Sequence, residues 1–342
     1  MKNNFVCLIA FSFLFILVNL ISGCSSKQSI SAPSIVQTPT PVAGVTTLTV
    51  SGLCSLTPAA VLTPCGIAVN NAGTLFLADI GHNRIIWCDP HGNTIGAVGG
   101  PGAADRGTGN SQFFGPYGVA IDALNNIYVI DTYNDRVQKF DSSFNYLTQW
   151  GTSGSGNSSF LNPMGIAVDA NGNVFVADTY NNRIQKFSSI GSFIKSWGTT
   201  GQANGQFVSP TAVAVDSSGL FVYVTDTGNN RVQKFDSSGN YVSQWGGFVP
   251  NNNQGWPNPS GWPPCSTPWG IAVDKNGNVF VCDTANSKIL KYDANGNFIT
   301  SWVTLSANGY DDMYPWGVTV DNTGAVYVVF FINNPLTKYI FS

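Results

Sequence analysis

Three observations predict an all-β chain: a six-bladed β-propeller of four-stranded antiparallel blades, with an N-terminal strand closing blade six. A Pro-x-Gly/Ala-Val/Ile word recurs at Pro64, Pro116, Pro163, Pro210, Pro268 and Pro315. Its copies lie 52, 47, 47, 58 and 47 residues apart, a base period of 47 with two longer units. Charged residues make up only 10% of the 342, while 37 glycines and 18 prolines punctuate the chain. Many short strands joined by tight turns have this composition. Four strands per unit and a period in the forties are propeller features.

Each unit divides into four strands. In the third they are expected at 165–169, 173–178, 183–187 and 192–197. The first two, "GIAVD" and "NVFVAD", are nearly continuous apolar runs, as in strands covered on both faces. The turns between them, such as "DANGN" and "DSSGN", carry the glycine that a tight hairpin needs for its positive φ.

The start of the chain is read as targeting rather than fold. Met1-Lys2-Asn3-Asn4 precedes an apolar run from Phe5 to Leu20, short for a span of about 20 residues. Leu20-Ile21-Ser22-Gly23-Cys24 then resembles the bacterial lipobox. That resemblance implies a signal peptide over 1–23, cleavage before Cys24 and a lipid on its sulfur. With Ser25 next, it implies the outer membrane in a two-membraned cell. Residues 24–45, rich in Ser, Thr and Pro, read as a tether, and 46–342 as the propeller. Five cysteines remain after Cys7 and Cys24. Cys88 and Cys282 fall inside strand patterns and read as small core residues. Cys54 and Cys65 flank one loop and are the candidate disulfide.

The ends of the chain predict how the ring closes. The sixth unit stops after a third strand near Leu336–Tyr339. Upstream, "TTLTVSG" ends at Gly52, 12 residues before Pro64. Gly151 and Gly198 stand the same 12 residues before Pro163 and Pro210. This orphan fourth strand is therefore in register to complete the last blade and cover its open edge.

The repeated words P-x-G-I-A-V-D, G-N-V-F-V-A-D-T-x-N-N-R-I-Q-K-F and G-x-F-x-x-x-W-G resemble the NHL repeat from Pro64 to the C-terminus. Within them, "VADTYNNRIQKF" (Val176 to Phe187) has an acid, a hydroxyl, two amides and an arginine within six residues. Its repetition argues against catalysis. Asp79, Asp131, Asp178, Asp226 and Asp283 share one repeat position; Arg84, Arg136, Arg183, Arg231 and Lys288 share another. They are expected to lock the hairpin between strands two and three, the Asp accepting from turn N–H groups and pairing with the base five residues on. The last unit has Phe330 and Pro335 instead, and packing of Phe330 and Phe331 is expected to hold its hairpin.

Other chemistry is thin. The Asp169 and Asp274 turns resemble part of a calcium loop but lack its downstream Glu. Related propeller enzymes, peptidyl-hydroxyglycine lyases and streptogramin lyases, use histidines or acidic ligands that His82 and His91 do not rebuild. No G-x-S-x-G or H-E-x-x-H occurs. No metal, cofactor or catalytic residue is therefore assigned. A net charge of −3 and the lack of a Lys/Arg cluster argue against nucleic-acid binding.

Specificity is expected where the symmetry breaks, on the face bearing the blade-to-blade loops. The x of the Pro-x-Gly word, expected near the channel mouth there, reads Cys65, Tyr117, Met164, Thr211, Trp269 and Trp316. Tyr133 and Tyr180 sit on adjacent hairpins, and Trp256 and Trp262 on a unique Pro-rich insertion. The candidate ligand site is Tyr117, Tyr133, Tyr180, Trp256, Trp262, Trp269 and Trp316. These rings either anchor a ligand or plug the channel. Trp150, Trp197, Trp245 and Trp302 end fourth strands and read as core. The expectation is a monomeric, lipid-anchored, non-catalytic binding or scaffold module for a protein segment or glycan of the cell envelope. The alternative is a propeller lyase or lactone hydrolase with a channel metal.

Overall fold

The structure, a computed structural model, describes residues 45–50, 63–100, 107–246, 267–304, 314–330 and 336–341. The signal, lipidation and tether assignments, with Cys24 and Cys54, lie outside these residues. No helix among the described residues is long and apolar enough to cross a membrane.

The apolar runs and glycine turns form four-stranded antiparallel sheets. Blade one contains Pro64–Val69, Leu75–Asp79, Arg84–Cys88 and Thr94–Gly99. Blade two contains Pro116–Ile121, Ile127–Asp131, Arg136–Phe140 and Tyr146–Trp150. In blade three the strands are Gly165–Val168, Val174–Asp178, Arg183–Phe187 and Phe193–Trp197. Blade four spans Pro210–Val215, Phe221–Asp226, Arg231–Asp236 and Tyr241–Gly246. Blade five spans Pro268–Val273, Val279–Asp283, Lys288–Tyr292 and Phe298–Val303.

The six-bladed expectation needs restating in kind. Among the described residues, blades folded from one continuous segment number five, not six. The remaining four-stranded sheet is a joint of the two chain ends. It takes Pro315–Val320, Val326–Phe330 and Leu336–Phe341 from one end and Val45–Val50 from the other. Val45 pairs with Phe341 and Val50 with Leu336, antiparallel. This joint packs on both sides. Phe330 and Val328 meet Phe280 and Trp302 of blade five; Tyr327 and Val329 meet Leu77 and Ile86 of blade one. Phe330 is fully buried, as its place in the odd hairpin requires, while Phe331 and Pro335 lie outside the described residues.

Between sheets, strand two of blades one, two, three and five is buried along its whole length, because each of its faces meets a neighbouring blade. Cys88 and Cys282 are buried inside these cores. Trp150, Trp245 and Trp302 are buried, and Trp197 packs partly buried on the blade-three/four core. Trp150 also explains a turn glycine in the next blade. Gly191 has φ +85°, and a Cβ there would stand 2.6 Å from the indole.

Hydrogen bonds staple the blades in series. Buried threonines of the hairpin word reach forward: Thr132 Oγ1 donates to Pro163 O, Thr227 Oγ1 to Pro268 O and Thr284 Oγ1 to Pro315 O. On the opposite face the lysine of R-x-x-K crosses to the next blade. Lys139 Nζ donates to Ser189 O, Lys186 Nζ to Ser237 O and Lys234 Nζ to Ala294 O.

The turn aspartates on that face act as local caps. Asp141 Oδ1 accepts from the N–H groups of Ser143 and Asn145, and Oδ2 from Asn145 Nδ2. Asp89 and Asp236 do the same, and these hydrogen bonds hold all three carboxyls below the usual 3.8. A depressed folded pKa contributes stability above the unfolded value and loses it as pH falls through the folded one. The triple variant D89N/D141N/D236N is therefore expected to melt with a shallower loss of Tm between pH 4 and pH 2 than the parent. An unchanged slope in thermal melts across that range removes this account.

Candidate functional site

The recurrent polar word is fully engaged in building the ring. In blade three, Asp178 Oδ2 accepts from Arg183 Nε at 2.8 Å, Asn181 Nδ2 at 2.9 Å and Gln185 Nε2 at 3.0 Å. Its Oδ1 accepts from Leu161 N at 2.8 Å, in the loop arriving from blade two. Arg183 Nη2 then donates to Gly156 O and Ser159 O of the same loop. Asp131 with Arg136 and Asp226 with Arg231 repeat the arrangement, taking Phe114 N and Val208 N. The expectation is thus corrected: the 3-10 turn that follows each Asp receives no hydrogen bond from that side chain. The carboxylate clamps the incoming loop, while the turn's own N–H groups, of Tyr133, Tyr180 and Gly228, donate to the carbonyls of Phe114, Leu161 and Val208 in that same loop. Burial pushes the Asp131 and Asp226 carboxyls above the usual range against the pull of their donors.

The word also reaches forward. Its αL residue, with φ near +53°, takes an N–H just ahead of the next blade's proline. Asn83 Oδ1 accepts from Gly115 N, Asp135 Oδ1 from Asn162 N, Asn182 Oδ1 from Ser209 N and Asn230 Oδ1 from Thr267 N. Asn and Asp tolerate αL and carry the needed acceptor. These αL residues and the R-x-Q glutamine were not singled out from the sequence, although both recur in the repeat.

In blade one, Arg84 Nε and His82 Nδ1 each lie 2.9 Å from Asp79 Oδ2, so His82 takes the place of the clamp asparagine. In blade five, Asn286 Nδ2 donates to both Asp283 oxygens, and Lys288 pairs opposite Asp283 in the ladder. Asp169 and Asp274 are engaged by their own turn N–H groups and by Asn173 and Asn278.

One cavity of about 70 Å³ runs along the propeller axis, walled by the six inner strands. At its mouth the structure brings together three of the seven candidate ligand residues. Trp269 and Trp316 stack at 4.8 Å with 7° between planes. Tyr117, from the opposite side of the ring, packs on both at 6.1 and 5.9 Å. Met164, Thr211 and Cys65 complete the rim. Thr211 Oγ1 is 2.6 Å from Thr227 Oγ1 and 3.2 Å from Thr225 Oγ1 in a buried hydroxyl cluster. Tyr133, on its hairpin, is 40% exposed with its ring 5.0 Å from Phe114, and its hydroxyl is near enough to Tyr117 to raise it further. Tyr180 lies close enough to Tyr133 to be raised by it, after burial. Trp256 and Trp262 lie outside the described residues.

Cys65 is buried, its Sγ donating to Thr63 O at 3.4 Å, and Cys54, its partner in the candidate disulfide, lies outside the described residues. As the x of a Pro-x-Gly word, its side chain lies on the channel rim. Burial pushes the Cys65 thiol and the Tyr117 hydroxyl well up. Tyr117 Oη is buried against the Cys65 thiol. The described channel lining has no histidine and no carboxylate, and no metal-holding group of His, Cys, Asp or Glu occurs among the described residues. As built, the site presents rings, one thioether, one thiol and one phenol.

Fold and repeat together define a β-propeller assembled on NHL-type repeats. The NHL repeat model matches residues 115–140 and 160–187, and the SMP-30/gluconolactonase/LRE-like region model matches 197–309. NHL repeat-containing protein 2 of Gallus gallus is 37% identical over 97 residues, 28% of this chain and 13% of that protein. The Homo sapiens protein is 40% identical over 91 residues, 25% of this chain and 12% of that protein. The likeness thus spans about an eighth of either relative. Among solved structures, a streptogramin B lyase aligns with TM-score 0.57 and 13% identity over 87% of this chain and 97% of that one. A gluconolactonase of Xanthomonas campestris aligns with TM-score 0.59 and 13% identity over 86% and 89%. A Bacteroides thetaiotaomicron protein of unknown function reaches TM-score 0.64 at 18% identity over 87% and 76%. At these identities the likeness shows the fold alone.

Proposed function

We propose that this chain is an extracytoplasmic, lipid-anchored, non-catalytic binding module. Its ligand is a protein segment or glycan of the cell envelope, held on the face that carries the blade-to-blade loops. The observation that carries this reading is the cluster of Tyr117, Trp269 and Trp316 at the channel mouth. The repeated Asp, Asn, Arg and Gln side chains are engaged in clamping loops, whereas these rings stay partly exposed on the face where the repeat varies. Large rigid rings bury much area on binding at little conformational cost. The Leu20–Cys24 lipobox supports anchoring outside the cytoplasmic membrane.

The test is a glycan array and an envelope pull-down with the parent and a Trp269→Ala/Trp316→Ala variant, each also with Trp256 and Trp262 replaced by alanine. The parent is expected to retain a ligand that the ring variants lose by tenfold or more, as for anchor residues worth about 2 kcal/mol or more. Equal capture by all forms removes the site. A stoichiometric bound metal that supports lyase or lactonase turnover overturns the non-catalytic reading.

A further inference from the structure

The face opposite the channel mouth bears on how the propeller sits in its envelope, an inference that rests on the lipid-anchoring reading above. The ladders fix where the N-terminal strand begins. Pro116 pairs with Asp131 and Pro315 with Phe330, so the Pro-x-Gly words lie at the mouth end of their blades. Val45 pairs with Phe341 at the other end, where Tyr339 meets Val326 just after the Asp321 turn. Cys24 stands 21 residues before Val45. The chain that carries the lipid therefore joins the ring on the turn face.

Exposed apolar side chains gather on the same side. Leu124, Ile190 and Leu220 sit in its turns and are 80%, 71% and 58% exposed. Ile95, Leu147, Ile194, Val242 and Ile299 share one repeat position, at the turn end of the outermost strand, and are 47% to 59% exposed. The other large apolar side chains exposed among the described residues are Tyr133, Leu161 and Val303, toward the mouth face, at 39% to 43%. Single exposed aliphatics need no explanation, whereas eight at one end of a ring make that end apolar out of proportion to the rest.

The turns hold these side chains in place and draw nearby charge inward. Asp122 Oδ1 accepts from Leu124 N, and Asp216 Oδ1 from Leu220 N, so each carboxylate folds back into its own turn. Lys139 Nζ donates to Ser189 O, beside Ile190. Asp141 and Asp236 open neighbouring turns in the same way. With aspartates along both rows of turns, apolar contact rather than attraction to anionic headgroups supplies the force.

We infer that the turn face lies on the membrane to which the lipid ties the chain. Its aliphatic side chains enter the boundary between headgroups and acyl chains. The mouth, with Tyr117, Trp269 and Trp316, then faces away from the bilayer, toward a ligand arriving from the aqueous side.

The test uses the full lipidated chain in vesicles of zwitterionic phosphatidylcholine. A fluorophore is placed on the turn face through Ser238→Cys or on the mouth face through Gln202→Cys, both exposed positions. The parent carried through the same labelling is the blank. A nitroxide-bearing phospholipid reads contact with lipid, and iodide reads contact with water. The lipid quencher is expected to act at least about threefold more on the turn-face probe than on the mouth-face probe, with the order reversed for iodide. Leu124→Ser/Ile190→Ser/Leu220→Ser is expected to bring the two probes within about twofold. Anionic phosphatidylglycerol is expected not to raise turn-face quenching. Equal quenching of both probes, on a chain whose mass shows lipid on Cys24, overturns the orientation and leaves anchoring standing. A chain without lipid on Cys24 overturns both. Stronger lipid quenching at the mouth-face probe, or a contrast that survives the triple variant, overturns the inference. A contrast seen only at high protein-to-lipid ratio assigns the face to a second copy of the chain and overturns it likewise.

Discussion

Asp178→Ala is expected to destabilise the propeller by about 3–5 kcal/mol and to leave affinity for a ligand at the channel mouth unchanged. The magnitude follows from what the substitution strands. Arg183 Nε, Asn181 Nδ2, Gln185 Nε2 and Leu161 N all donate to this one carboxylate. Gln185 is fully buried, so its donor cannot turn to water, and the Arg183 side chain, 13% exposed, reaches water only in part. Removing one partner of a buried ion pair is far worse than never having had it. Loss of the clamp also frees the loop that Arg183 holds through Gly156 and Ser159. Thermal melts and ligand titration of the same preparation check both halves. An unshifted Tm rules out the clamp, and a lost ligand with an intact fold puts Asp178 in the binding site.

Gly118→Ala is expected to be at least as damaging, about 3 kcal/mol or more, with little soluble protein at 37 °C. A Cβ there would stand 2.5 Å from Met164 O, the backbone of the next inner strand. Gly165 meets Thr211 O at 2.7 Å, Gly270 meets Trp316 O at 2.5 Å and Gly317 meets Cys65 O at 2.5 Å. These glycines form a collar in which each inner strand packs on the x carbonyl of the next. Neither side of the contact can yield without widening the ring. Gly156→Ala is the control, because its nearest neighbour is Ser159 Oγ at 3.9 Å. Urea unfolding of the two variants checks the contrast. Similar midpoints would show that the collar is not close-packed.

Much of this architecture was legible in the chain because a repeat restates each signal several times. Strand ends in blade three fall within a residue or so of those expected from apolar runs and turn glycines. The 12-residue register of Gly52 with Pro64 led to the pairing of Val45–Val50 with Leu336–Phe341. The Asp–Arg partnership was readable from its fixed spacing of five. The direction of the Asp's second bond was not, since the donor Leu161 lies 17 residues upstream and a local reading favours the nearer turn.

What the sequence by itself determined is the module: period, strand order, turn chemistry and the residues that clamp one blade to the next. These are short-range properties, written in words a few residues long and repeated. Only the tertiary structure decided that Tyr117, Trp269 and Trp316, as many as 199 residues apart in the chain, meet across one axis. Closing a ring juxtaposes residues by angle around the axis, not by distance along the chain. A contact of that kind exists only once every inter-blade interface has formed.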